Sequence, residues 1–150
     1  MMFTLILLAS LFTGDPPVAW EFRSIANGTE EMEILIVADI DEGWHVYATD
    51  LPSDEGPLPT VFRFEESNAF RLKGDLAEPE PVEQFDPNFA VLVKHHSGKP
   101  EFTMKLERTT AEAFTVKGEV EYMACNDRTC LPPLVVPFAI EVKEVSQARE

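Results

Sequence analysis

The chain is short of several things, and each shortage narrows the possibilities. It has only two cysteines in 150 residues, so it is not a disulfide-dense secreted scaffold. It has few cations: 12 Lys and Arg stand against 27 Asp and Glu, for a formal charge of −15. Such a surface repels phosphate backbones and anionic lipid, so nucleic acid and acidic membrane surfaces are poor partners. No run is apolar for the length a bilayer needs, so no direct membrane span is expected. No window of 11 or more residues carries a 3.6-residue period, and there is no internal repeat. What remains is ample: 45% hydrophobic residues, including eleven Phe, two Trp and two Tyr, enough to fill the core of one domain.

The pattern that is present has period 2. "WEFRSI" (20–25), "MEILIVADI" (32–40), "TVFRF" (60–64), "EFTMKLE" (101–107), "FTVKGEVEY" (114–122) and "PFAIEVK" (137–143) each alternate apolar with polar residues, as half-buried strands do. "NG" (27–28) reads as a hairpin turn between the first two, which is sufficient to explain the formal sequon Asn27-Gly28-Thr29. "DEG" (41–43), "SDEGP" (53–57) and "HSGKP" (96–100) break the pattern again. Many short strands joined by turns predict an all-β protein, an immunoglobulin-like antiparallel β-sandwich. Residues 77–88, "AEPEPVEQFDPN", rich in proline and acid, read as a long surface loop or an irregular edge.

The N-terminus, "MMFTLILLASLFTGDPP", fits the apolar core of a signal peptide, although no Lys or Arg precedes it and no A-x-A site follows. The expected organisation is a signal peptide or its remnant over 1–14, one domain over 15–145 and a tail over 146–150.

Both cysteines lie in "YMACNDRTCLPP" (122–133). A Cys125–Cys130 bond would close a loop of six residues, worth only about 2 kcal/mol by chain entropy. A sandwich that uses a disulfide for stability normally joins its two sheets instead. Asn126 to Thr129 are polar, which exposes the loop to an attacking thiolate. Arg128 favours a thiolate and Asp127 opposes one. Pro132 and Pro133 stiffen the exit. Spacing alone leaves three readings open: structural staple, redox pair, metal clip. Zinc needs about four ligands, and the three histidines supply them poorly. His95 and His96 point to opposite faces if they lie in a strand, and read as a polar pair flanking a turn. Met123 with the cysteines could attract copper(I).

Four stretches in order, "DEGWHVYA" (41–48), "GPLPTVFRF" (56–64), "FDPNFAV" (85–91) and "GEVEYMACNDRTCLPP" (118–133), resemble the N-terminal periplasmic domain of the thiol:disulfide interchange protein DsbD, in its disulfide bond corrector form. The resemblance covers roughly residues 15 to 145. It implies an immunoglobulin-like sandwich with one redox-active pair, Cys125 and Cys130, acting as a thiol:disulfide oxidoreductase without cofactor or metal. It implies electrons taken from a membrane-embedded DsbD-type donor and passed to thioredoxin-like periplasmic acceptors, namely disulfide isomerases and cytochrome c maturation factors. Cys130 would attack the acceptor disulfide and Cys125 would resolve the mixed disulfide. An aromatic cap would shield the pair. Phe85 is its first candidate and Phe89 the fallback, with His45 and Tyr47 beside the site on one side of their strand and Trp44 turned toward the core. The family's acidic pair is matched only loosely, by Glu83 and Asp86. Location would be the periplasm of a bacterium. Two other hypotheses stand beside this one: a secreted β-sandwich binding module with a structural disulfide, and a copper or zinc chaperone.

Overall fold

The computed structural model describes residues 14–146. The signal-peptide expectation therefore lies almost wholly outside the described residues, as does most of the 146–150 tail. Every regular element is a strand: β1 (Val18–Ala26), β2 (Glu31–Ile40), β3 (His45–Tyr47), β4 (Val61–Phe64), β5 (Phe70–Ala77), β6 (Val82–Asp86), β7 (Val91–His96), β8 (Glu101–Arg108), β9 (Phe114–Tyr122), β10 (Ala124–Cys125) and β11 (Leu134–Val142). They form three antiparallel sheets, in the orders β1-β2-β8-β5, β11-β9-β4 and β10-β3-β7-β6.

The first two sheets are the layers of the sandwich. Alternation along β2 and β8 buries Met32, Ile34, Ile36, Phe102, Met104 and Leu106 against Val116, Phe138, Ile140 and Val142 from the facing sheet. Each such side chain contributes on the order of 1.5–3 kcal/mol by leaving water. Gly118 interrupts the alternation of β9 for a steric reason. It pairs with Phe64 on one side and Phe138 on the other, and a Cβ there would sit 2.1 Å from the Arg63 carbonyl oxygen and 2.5 Å from the Phe138 ring.

The third sheet carries the site. β9 runs through Met123 straight into β10, so the cysteine strand continues out of the sandwich. A second apolar cluster of Val18, Ala38, Ile40, Val46, Tyr122 and Ala124 fastens this sheet to the layers, with Trp44 packed against it as expected.

All six strands expected from alternation are present. The "NG" turn joins β1 to β2, but as a wider loop: Ala26 pairs with Met32, and the Asn27 amide donates to the Glu31 carbonyl at 2.9 Å. Of the other five strands, β3 is the one expected to carry His45 and Tyr47, and four, β5, β6, β7 and β10, were not foreseen. β5 hides its pattern behind a register shift between Lys73 and Ala77, and β3 and β10 are only three and two residues long. The 77–88 stretch is not a plain loop, since its second half is β6, the edge strand of the third sheet. His95 and His96 end β7 directly before the 97–100 turn, as expected, and point to opposite faces. His96 is buried against Phe102 with its Nε2 2.7 Å from Glu78, and Glu78 also accepts from the Thr49 amide and hydroxyl.

Candidate functional site

Register decides which side chains meet. Cys125 lies opposite His45, Tyr47 opposite His95, His95 opposite Val82, Val93 opposite Gln84, and Val91 opposite Asp86. Directly paired residues share a face, so Cys125, His45, Tyr47, Val93, His95, Gln84 and Asp86 line one side of the third sheet. Ala124 and Val46 turn to the other side, into the core.

Cys125 and Cys130 form an isolated antiparallel bridge and are joined as a disulfide, with Cα atoms 4.1 Å apart. Between them the chain turns tightly on Asn126. Its amide donates to the Thr129 carbonyl at 2.9 Å, and its side-chain oxygen accepts from the Arg128 and Thr129 amides at 2.9 and 2.8 Å. Asn favours this because its side chain mimics a backbone turn. The Leu131 amide donates to Ala124, and the two prolines then keep the chain out of the ladder until β11. The two sulfur residues differ sharply in access: Cys125 is wholly buried, while Cys130 is half-buried.

An apolar cluster of Tyr47, Val93, Met123 and Cys125 surrounds the bond, and Leu51, Phe89, Val91 and Cys130 pack against it. Phe89 arrives on the β6–β7 turn, residues 87–90. Asp86 builds that turn: its Oδ1 accepts from the Asn88 and Phe89 amides at 2.8 and 3.3 Å, and its carbonyl accepts from Ala90. Ala90 sits in the left-handed region, at φ 56°. Asn88 Nδ2 donates to the Asn126 carbonyl at 2.8 Å, tying the turn to the cysteine loop. Gly56 closes the other side. Its φ is +114°, and a Cβ there would come within 2.8 Å of Val91 and 3.5 Å of Phe89. Phe85, the first cap candidate, pairs with Leu92 and alternates with Gln84 and Asp86. By that alternation its side chain starts on the face away from Cys125, yet the residue, which is exposed, also lines a small cavity with His45, His95 and Asp127.

A polar cluster adjoins the apolar one. The Tyr47 hydroxyl donates to Asp86 Oδ2 at 2.5 Å, and His45 Nε2 lies 3.3 Å from that hydroxyl and 3.9 Å from the same carboxylate oxygen. The His45 and His95 rings are 4.6 Å apart, and His95 Nε2 is 2.9 Å from Gln84 Oε1. Burial, then the hydrogen bond to Asp86, pushes the Tyr47 hydroxyl far up, so it stays a donor. Burial pulls His45 below its usual range, with Asp86 and Asp127 opposing. Burial also lowers His95, helped by the two neighbouring histidines. A cavity of about 30 Å³ lies between His45, Asp86, His95 and Asp127, room for one or two waters. Among the described residues no group of three His, Cys, Asp or Glu is arranged to hold a metal.

The lowered histidines set a direction for pH dependence. A histidine depressed on folding resists a proton that the unfolded chain accepts, so its contribution is complete above about pH 6.5 and is lost as pH falls through the folded value. Glu78 adds the same sign lower down: burial opposes its ionisation, but bonds from His96 and Thr49 outweigh that and hold it below the usual range. We expect the melting temperature to drop between pH 7.5 and 5.5, and less so in a His45→Gln, His95→Gln double variant. A rise on acidification would contradict this account.

Sequence had singled out His45, Tyr47, Phe89 and both cysteines, and the structure brings these five together. Asp86, which joins Tyr47 to the turn, had only a loose match. The signal available was "DPN", since Asp followed by Pro is favoured at the start of a type I turn.

Fold and site define a class: immunoglobulin-like β-sandwiches carrying one half-accessible disulfide at the end of a strand, beside an aromatic turn. The chain belongs to the family described as thiol:disulfide interchange protein DsbD, N-terminal, whose model matches residues 15–140. The fold is similar to that of the N-terminal periplasmic domain of ScsB from Proteus mirabilis, at 14% identity and TM-score 0.54, over 84% of this chain and 45% of that one. It is similar to a chain in the structure of the complex between the DsbD N-terminal and PilB N-terminal domains from Neisseria meningitidis, at 13% identity and TM-score 0.54, over 86% of this chain and 88% of that one. The reduced N-terminal domain of Neisseria meningitidis DsbD matches at 15% identity and TM-score 0.49, over 81% and 85%. No curated protein sequence matches. No helix among the described residues is long and apolar enough to cross a membrane.

Proposed function

We propose that the chain relays electrons in the bacterial periplasm, from a membrane-embedded donor to thioredoxin-like acceptors such as disulfide isomerases and cytochrome c maturation factors, through Cys125 and Cys130. The observation that carries this is the asymmetry of the pair. A half-exposed sulfur is bonded to a buried one, at a turn that can be reached from solvent. In the forward step the Cys130 thiolate attacks the acceptor disulfide and releases one acceptor thiolate. Cys125, deprotonated, then attacks Cys130 in the mixed disulfide, restoring the bond and releasing the second acceptor thiolate. The acceptor gains two electrons and the pair loses two. A protein acceptor agrees with the complex formed by the Neisseria domain. The apolar run at residues 1–12 serves this reading as an export signal.

Phe89 is the shield in this account, because it packs on the cysteine cluster and is held by Gly56 and by the Asp86 turn. Phe89→Ala should speed oxidation of the reduced pair by hydrogen peroxide by about tenfold, as expected for exposing a half-buried thiol. Phe85→Ala should change it less than twofold. The reverse ranking would return the shield to Phe85.

A structural staple in a binding module is the competing reading, favoured by the complete burial of Cys125. Titration of the pair against glutathione or dithiothreitol buffers separates the two. A potential of roughly −270 to −120 mV supports exchange, and one below about −300 mV supports the staple.

A further inference from the structure

The third sheet ends in β6, and among the described residues nothing pairs with its outer edge. Four of its five residues are exposed. Val82 is 55% exposed, Phe85 59%, and Leu92, paired with Phe85 from β7, 45%. Exposed strand edges are templates for another strand, and proteins usually blunt them with lysine, bulges or covering loops. β5, another edge, is blunted in that way: it carries Arg71 and Lys73, and its register shifts before Ala77. β6 carries no cation and no bulge. Its prolines stand outside the strand, at positions 79, 81 and 87. Pro79 and Pro81 hold the entry extended and Pro87 opens the turn, so none removes a donor from the edge itself. The open stretch is five residues, about 17 Å at the rise of an antiparallel strand. Its exposed charge is acidic, with Glu83 on the strand and Glu80 before it, on a chain of charge −15; Asp86 is buried and spent on Tyr47 and the turn. That charge disfavours a second copy of the same chain at this edge.

We propose that the outer edge of β6 is a docking strand for an extended segment of a partner protein in which apolar residues alternate with lysine or arginine. Main-chain hydrogen bonds would supply the affinity, Val82 and Phe85 the apolar contact on the two faces, and the acids the choice of a cationic partner. The position matters because β6 runs directly into the turn that carries Phe89, so a segment seated there abuts the turn that covers the cysteine pair, although β6 and the cysteine strand are opposite edges of the sheet. The proposal rests on the exposed edge, and it stands or falls independently of disulfide exchange.

The test uses the whole chain and an acetylated, amidated peptide of alternating lysine and valine, seven residues long. Calorimetry should show saturable binding, and hydrogen exchange should slow at Val82–Asp86. A peptide methylated at every backbone nitrogen keeps the charge but loses the donors, and should bind at least about tenfold more weakly, the factor expected when one or two hydrogen bonds are lost. Val82→Lys, an exposed substitution, should weaken binding of the parent peptide comparably. Equal binding of the methylated peptide would reduce the effect to charge alone and overturn the proposal. So would protection at another edge, absence of saturable binding, or amides of β6 already protected without peptide, which would mean that the edge is occupied by the chain itself.

Discussion

Serine in place of Cys130 should abolish disulfide exchange and leave a folded protein. Cys130 is the half-buried member of the bond, and Cys125 is enclosed by Tyr47, Val93 and Met123. An attacking thiolate must reach a sulfur from solvent, and only one of the two is offered. The bond spans a sequence separation of five, so its removal costs about 2 kcal/mol by loop entropy. The loop keeps its Asn126 bonds and the brace from Asn88. Thermal melting should therefore shift by several degrees while the transition stays cooperative. Cys125→Ser should behave differently: Cys130 still attacks an acceptor disulfide, but nothing resolves the product, and the mixed disulfide accumulates. Reaction with oxidised glutathione, read by intact mass, distinguishes these outcomes. Mixed disulfide building up in Cys130→Ser and not in Cys125→Ser would reverse the assignments.

The cysteine loop could be read in the sequence as an exposed turn because its parts are local, while the redox reading of the pair came from the family resemblance. Both residues lie within one turn, and the polar loop and paired prolines between and behind them are contiguous. The alternating strands were legible for a similar reason. β2, β8, β9 and β11 each bury one face and wet the other, so period 2 is written into them. The same signal set His45 and Tyr47 on one side of β3. It failed for residues 77–88, where proline and acid masked a five-residue strand. The register of β6 also decides which face Phe85 takes, since a shift of one residue exchanges the faces. Asp86 was legible least of all. Its principal partner, Tyr47, is 39 residues away, and no spacing rule joins a turn-forming aspartate to a tyrosine in a different strand.

Asp86→Ala should do damage in two places. The carboxylate accepts from the Tyr47 hydroxyl on one oxygen and from the Asn88 and Phe89 amides on the other, and its side chain is 1% exposed. Truncation leaves the Tyr47 hydroxyl only its longer contact with His45 Nε2, at 3.3 Å, and frees two amides of the turn. Hydrogen bonds to a charged group contribute about 1.5–3 kcal/mol each, so the loss should reach roughly 3 kcal/mol even if water satisfies the amides. The second effect is chemical. With the turn released, Phe89 no longer presses on the cysteine cluster and Asn88 loses its hold on the Asn126 carbonyl, so the reduced pair should be alkylated several times faster. Two milder variants separate these effects. Tyr47→Phe removes one bond to the carboxylate and keeps the packing, so it should lower stability by about 1.5–3 kcal/mol with little change in alkylation. Asp86→Asn keeps an oxygen for the turn amides and turns its NH₂ toward Tyr47, so it should fall between the two on both measures. Urea melts and timed alkylation of all three variants test the assignment together. If Asp86→Ala lost stability but kept the native alkylation rate, the shield would be held by packing against Gly56 and Val91, and the carboxylate would serve the fold alone.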